Sequence, residues 1–132
     1  MILPLVLMLQ VASVAPPLAG PISTPPLTLA DVDLHSLTVP FDGYYPDQAA
    51  RLGVSGQAVA TCKVVKKGLL RKCAVLSATP THQAFDLASA MLLQKNARID
   101  PATRDGAPTA GRDLNVTVRF TSDGSRHQIS FE

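Results

Sequence analysis

Residues 56–78, "GQAVATCKVVKKGLLRKCAVLSA", decide the fold. Two runs rich in Val and Leu, "GQAVATCKVV" and "LLRKCAVLSA", flank "KKG", where Gly68 supplies the positive φ of a tight turn. This is a β-hairpin, and its strands carry the only two cysteines, Cys62 and Cys73. A two-residue or four-residue loop sets the cysteines opposite each other on one face, within reach of a disulfide. A three-residue loop turns them to opposite faces. If the bond forms, it closes about 12 residues and contributes on the order of 3 kcal/mol in the chain-entropy picture.

C-terminal to the hairpin, "THQAFDLASAMLLQK" has helical spacing. Ala84, Leu87, Ala88 and Met91 fall on one face, Phe85 and Leu92 flank it, Thr81 is placed to cap the start and Lys95 sits in the last turn. The Pro, Gly and Asp content of "NARIDPATRDGAPTAGRD" reads as a loop. In "LNVTVRF", Leu114, Val116, Val118 and Phe120 alternate with Asn115, Thr117 and Arg119, the pattern of a half-buried strand. A further short strand is expected in "SDGSRHQISF", after a turn at Asp123-Gly124. The fold class that follows is α+β, a small two-layer domain: an antiparallel sheet in the order strand, strand, helix, strand, with one helix on a face.

N-terminal to the hairpin, seven of the 11 prolines fall between Pro16 and Pro46, so residues 21–43 read as a Pro-rich linker leading to a domain at 44–132. Residues 1–20 read as a signal peptide or short hydrophobic segment. The run "MILPLVLMLQVASVA" spans about 22 Å as a helix, short of a bilayer core of about 30 Å. It has no Lys or Arg before it, and both "SVA" and "LAG" fit a cleavage site. Export favours an oxidised cysteine pair.

Composition and motifs exclude several functions. A net charge of +2 is weak for nucleic acid, and the cations of the hairpin, Lys63, Lys66, Lys67, Arg71 and Lys72, have no interleaved aromatics for base stacking. Two cysteines with ten residues between them, and His35, His82 and His127 at unrelated spacings, make neither a metal site nor a redox pair. "GVSG" lacks the spacing of a nucleophile elbow, and no phosphate-binding glycine loop is present. The sequence predicts no enzyme, no cofactor, no metal and no nucleic-acid partner.

The string "YPDQAARLGVSGQAVATCKVVKKGLLRKCAVLSATP", residues 45–80, resembles the C-terminal domain of TonB, the periplasmic energy transducer of Gram-negative bacteria. Tyr45-Pro46, Ala49, Leu52, Gly56-Gln57, Val64, Gly68 and "LSATP" carry the resemblance, which continues more loosely through Phe85, Pro101, "DGAP" and "VTVRF" and covers about Tyr44 to Phe120. It implies a two-layer domain that binds the TonB box, an extended peptide of outer-membrane receptors, by strand addition at a sheet edge. Carried over, that edge is Asn115, Val116, Thr117, Val118, Arg119 and Phe120, with Tyr44 and Tyr45 near the peptide. Members with a cysteine in each of the first two strands are similar, which implies the Cys62 to Cys73 disulfide. The implied setting is the periplasm, and the implied partner is a TonB-dependent outer-membrane receptor or another envelope protein. Membrane contact is expected only through an uncleaved N-terminal segment. A structural envelope domain that pairs with a second copy through the same edge, as a homodimer, is the alternative. The sequence departs from a full transducer in its short apolar start without flanking cations or His, its brief linker, and "ARIDP", where Ile99 stands in place of an aromatic residue.

Overall fold

Alternation along the chain builds the centre of the sheet. In β2 (Gly56–Val64) the side chains of Ala58, Ala60, Cys62 and Val64 are buried, and in β5 (Asp113–Ser122) so are Leu114, Val116, Val118 and Phe120. The two strands pair antiparallel, Cys62 opposite Leu114 and Ala58 opposite Val118, so both apolar rows share one face. This computed structural model describes residues 24–132, and the reading of residues 1–20 lies outside them.

Eight regular elements follow in chain order: β1 (Leu34–Ser36), α1 (Asp47–Leu52), β2, β3 (Leu70–Thr79), α2 (Phe85–Asn96), β4 (Ala97–Ile99), β5 and β6 (His127–Phe131). Short 3-10 turns lie at Phe41–Tyr44 and Lys66–Gly68. The main sheet is antiparallel in the order β3-β2-β5-β6, and β1 pairs with β4 in a separate two-stranded ribbon. With α2 packed on the apolar face, the α+β two-layer class holds.

An aromatic cluster joins the layers. Phe85, at the start of α2, lies 4.6 Å from Phe120 between ring centroids, and Tyr45 meets both rings edge-on. Gly56 makes this approach possible, because a Cβ there would stand 2.4 Å from the Phe85 ring. At the other end of the hairpin Gly68, at φ 74°, lets the turn close against β4, where a Cβ would stand 1.9 Å from the carbonyl oxygen of Ile99.

The helix differs from its reading. It begins at Phe85, Ala84 precedes it in a left-handed conformation, and Thr81 makes no cap. Its buried residues are Phe85, Ser89, Leu92, Leu93 and Asn96, whereas Leu87 is 63% and Met91 40% exposed. The bulky Phe85 and the Leu92-Leu93 pair take the core, which turns the Ala84, Leu87, Ala88, Met91 stripe outward.

The segment read as a linker also differs. From Thr24 it packs onto the domain: Leu27 and Val32 are fully buried, and the Leu27 backbone bonds to Asp113 and Asn115 of β5 at 2.7 and 2.8 Å. Buried Asn96 holds the chain farther on, accepting from the Thr38 backbone at 2.8 Å and donating to the Val39 carbonyl at 2.6 Å. The Asp100–Arg112 stretch is loop as expected, but residues 97–99 form β4.

The hairpin resolves the cysteine question by a route the loop alone does not give. Five residues separate the last pair, Val64 opposite Leu70. An odd loop length leaves Cys62 facing Lys72, as Lys63 facing Arg71 shows. Lys72, at φ 53°, is an extra bulged residue, after which Thr61 faces Ala74. Cys73 thereby comes opposite Cys62, and the two form a disulfide with Cα atoms 4.0 Å apart.

Candidate functional site: the β5 border of the sheet

Strand addition needs a row of backbone N–H and C=O groups facing outward, so the sheet borders are the places to inspect. Asn115 to Phe120, expected at the edge, lie in an inner strand. One side of β5 pairs with β2 from Asp113 to Phe120, and the other is covered by two pieces of the same chain. The β6 strand covers Val118 to Ser122, and Thr117 exchanges both backbone hydrogen bonds with Glu132 at 2.8 and 2.9 Å. At the far end Leu27 bridges Leu114 in parallel orientation. An unprotected edge invites unwanted pairing, and a short covering strand is one way to prevent it.

The cover is lightly attached. Ile129 is the one buried residue of β6. Arg119 and Glu132 form a two-pronged ion pair, at 2.7 Å from Nε and 3.1 Å from Nη2, on the exposed side. The Arg119 guanidinium holds the Glu132 carboxyl below its usual range, first through the hydrogen bond and then through charge. On the outer side of β6 the Asp42 carboxylate accepts the Ile129 N–H at 2.8 Å, and the Phe41 and Phe131 rings meet edge-on at 4.8 Å. Sequence reading missed Asp42, Phe41 and Leu27. An Asp before a Gly signals a turn, and nothing in "FDGYYP" indicates a partner 87 residues away.

Alternation places Val116, Val118 and Phe120 in the core, while Asn115, Thr117 and Arg119 look to the open face. What a pairing strand would touch along β5 is backbone plus this polar row. Tyr45 is a core residue. Its hydroxyl donates to the Val54 carbonyl, and burial pushes its phenol above the ordinary value. Tyr44 is half-buried and lines a groove of about 370 Å3 with Pro46, Ala84, Leu87, Ala88 and Met91. Both tyrosines border this groove, Tyr45 as a buried core residue and Tyr44 half-buried at the surface.

His127 is half-buried, 5.1 Å from the Tyr45 ring and 3.0 Å from Ser122 Oγ, and His82 is exposed. His35 pairs with Asp100 at 3.0 Å across β1 and β4. Among the described residues no group of three His, Cys, Asp or Glu side chains gathers to hold a metal ion, and no helix is long and apolar enough to cross a membrane. The opposite border, β3, is kinked by two register shifts, one of them at the disulfide, where the Cys73 N–H donates to Gln94 Oε1 at 2.9 Å.

No curated protein and no solved structure matched the chain. The family model for the Gram-negative bacterial TonB protein C-terminal matches residues 43–122, from the Phe41–Tyr44 turn to the end of β5. That span holds α1, the stapled hairpin, α2 and β5, and leaves β6 beyond it. The chain belongs to the TonB C-terminal family, whose domains are non-catalytic and serve envelope energy transduction.

Proposed function

We propose that this domain works in the periplasm as a peptide-binding module, taking up an extended segment of an outer-membrane receptor or another envelope protein as an added strand beside β5. Within Asn115 to Phe120, the outward backbone groups of Thr117 and Arg119 that β6 releases supply the hydrogen bonds. Asn115, still bonded to Leu27 through its backbone, joins Thr117 and Arg119 in contacting alternate side chains, and Tyr44 with its groove receives residues flanking the paired stretch. Main-chain pairing gives affinity in this mode and the alternate side chains give selectivity. The observation that carries the reading is that the border of β5 is already organised for pairing on both sides, with its outer side satisfied by two short segments. β6, with one buried residue, is the piece an incoming strand replaces at least cost.

Binding of a receptor-plug peptide, followed by calorimetry, tests this. The parent peptide should bind, and a proline at a central position that donates to β5 should weaken it by about tenfold or more, because it removes a ladder hydrogen bond. Equal binding of the two peptides would rule out strand addition. The alternative expected from the sequence, pairing with a second copy through the same β5 edge, meets β6 covering that edge and would instead need the open β3 border, where Leu76 is exposed. Concentration-dependent sedimentation without peptide separates the two.

A further inference from the structure

We propose that the hairpin end of the domain docks on an anionic phospholipid surface. Eight of the 12 Lys and Arg residues gather there, including every lysine of the chain. Lys63 pairs with Arg71 across the hairpin, Lys66 and Lys67 form its turn, and Lys72 is the bulged residue. Leu69 in the turn bridges Arg98, the Arg112 carbonyl accepts the Val64 N–H at 2.8 Å, and Lys95 lies in the last turn of α2 beside Gln94. The Arg71 guanidinium reaches the Gln94 carbonyl at 3.2 Å, which ties the C-terminal end of α2 to the same end of the sheet.

These cations are not consumed inside the fold. Of these eight cations only Lys63 has a carboxylate partner among the described residues, Asp113 at 3.2 Å. Arg104 and Arg119, outside this end, are paired with Asp33 and Glu132. Lys66, Lys67, Arg71, Lys72 and Lys95 are all exposed.

Two further features select a lipid surface from among polyanions. First, the aromatic residues that would stack on bases, Tyr45, Phe85 and Phe120, are packed together around Gly56 at the opposite end of β2. Second, the chain joins the domain at the cationic end: Arg112 Nη2 donates to the Pro25 carbonyl at 3.0 Å, and Leu27 follows beside Asp113. The apolar run "MILPLVLMLQVASVA" precedes that point by Pro16 to Thr24, nine residues that reach at most about 30 Å when extended. Any membrane that holds the run lies within reach of the hairpin end. A modest apolar anchor and a cluster of cations are the two signals that together give firm membrane attachment.

The test uses the full oxidised chain with vesicles of phosphatidylcholine alone or with phosphatidylglycerol added. Acetylation of Lys66, Lys67, Lys72 and Lys95, read by mass spectrometry, should slow by about threefold or more on the anionic vesicles at low salt and recover in high salt. Flotation of K66E/K67E/K72E should lose the anionic preference by about tenfold or more, whereas R51E/R126E, altered at the opposite end, should keep it. Equal acetylation on both vesicles overturns the proposal in the unaltered protein, whatever the variants do. Equal loss in R51E/R126E would make the effect one of overall charge, and a single-stranded oligonucleotide that displaces the protein at matched charge would make it one of polyanions in general. Either result also overturns it.

Discussion

Asp42 and Ile129, 87 residues apart, are joined by a 2.8 Å hydrogen bond from the Ile129 N–H to the Asp42 carboxylate. Through it the turn before α1 holds the outer side of β6 while β5 holds the inner side. Asp42→Ala should therefore speed amide exchange at Ile129, which loses its acceptor, and at Glu132, whose N–H bonds back to Thr117. A lost hydrogen bond to a charged group weakens β6 by about 1 to 2 kcal/mol. Since a partner that replaces β6 gains whatever the strand loses, peptide affinity should rise by about fivefold or more. Faster exchange with unchanged or weaker peptide binding would show that β6 does not compete.

Acid should release the last residue of the cover. The Arg119 guanidinium lowers the folded-state Glu132 carboxyl below the ordinary value of 4.5. A depressed carboxyl contributes stability that is fully present above its ordinary value and is lost as pH falls through the folded value. Protection of the Thr117 and Glu132 amides, corrected for intrinsic exchange, should hold from neutrality to about pH 5 and decline below it. Glu132→Gln should flatten that decline.

The disulfide staples the hairpin that carries the cationic turn. Cys62→Ala/Cys73→Ala, measured by denaturant unfolding beside the oxidised parent, should lose on the order of 3 kcal/mol. The altered protein should keep the register of Ala58 opposite Val118, because β2 is held there by β5 independently of the staple.

Gly56→Ala should cost about 1 to 3 kcal/mol, since its Cβ meets the Phe85 ring and the Thr79 carbonyl at 2.4 Å. Gly43→Ala, with nothing within 4 Å, should leave the unfolding midpoint almost unchanged. Equal effects at the two positions would contradict the role of Gly56 in seating Phe85.

Local pattern carried the hairpin, the alternation of β5 and the existence of α2 and β6, because each is written in neighbouring residues. What it could not carry depended on contacts distant in sequence. The stripe of Ala84, Leu87, Ala88 and Met91 is as regular as the buried one, and only the place of Phe85 against Gly56 and Phe120 decides which turns inward. Among the described residues, Pro25, Pro26 and Pro40 lie outside the strands and helices, as prolines predict, yet irregular backbone is compatible with burial of Leu27 and Val32. The bulge at Lys72 has no glycine to announce it, and it reverses the facing that an odd loop would give. For the site, the alternation in "LNVTVRF" fixed which side chains are buried but said nothing about which strands lie beside it. The cover over β5 becomes visible only when Glu132, Leu27 and Asp42 are seen together.

The most direct test of strand addition is an NMR titration of the isotope-labelled, oxidised protein with a receptor-plug peptide, following cross-strand contacts as well as shifts. Strand addition beside β5 requires new contacts between the peptide and Asn115, Thr117 and Arg119, with loss of the contacts that pair Thr117 with Glu132 and Arg119 with Ser130. If the peptide binds while those β5 to β6 contacts persist, or leaves β5 unperturbed at saturating concentration, β5 is not the receiving strand.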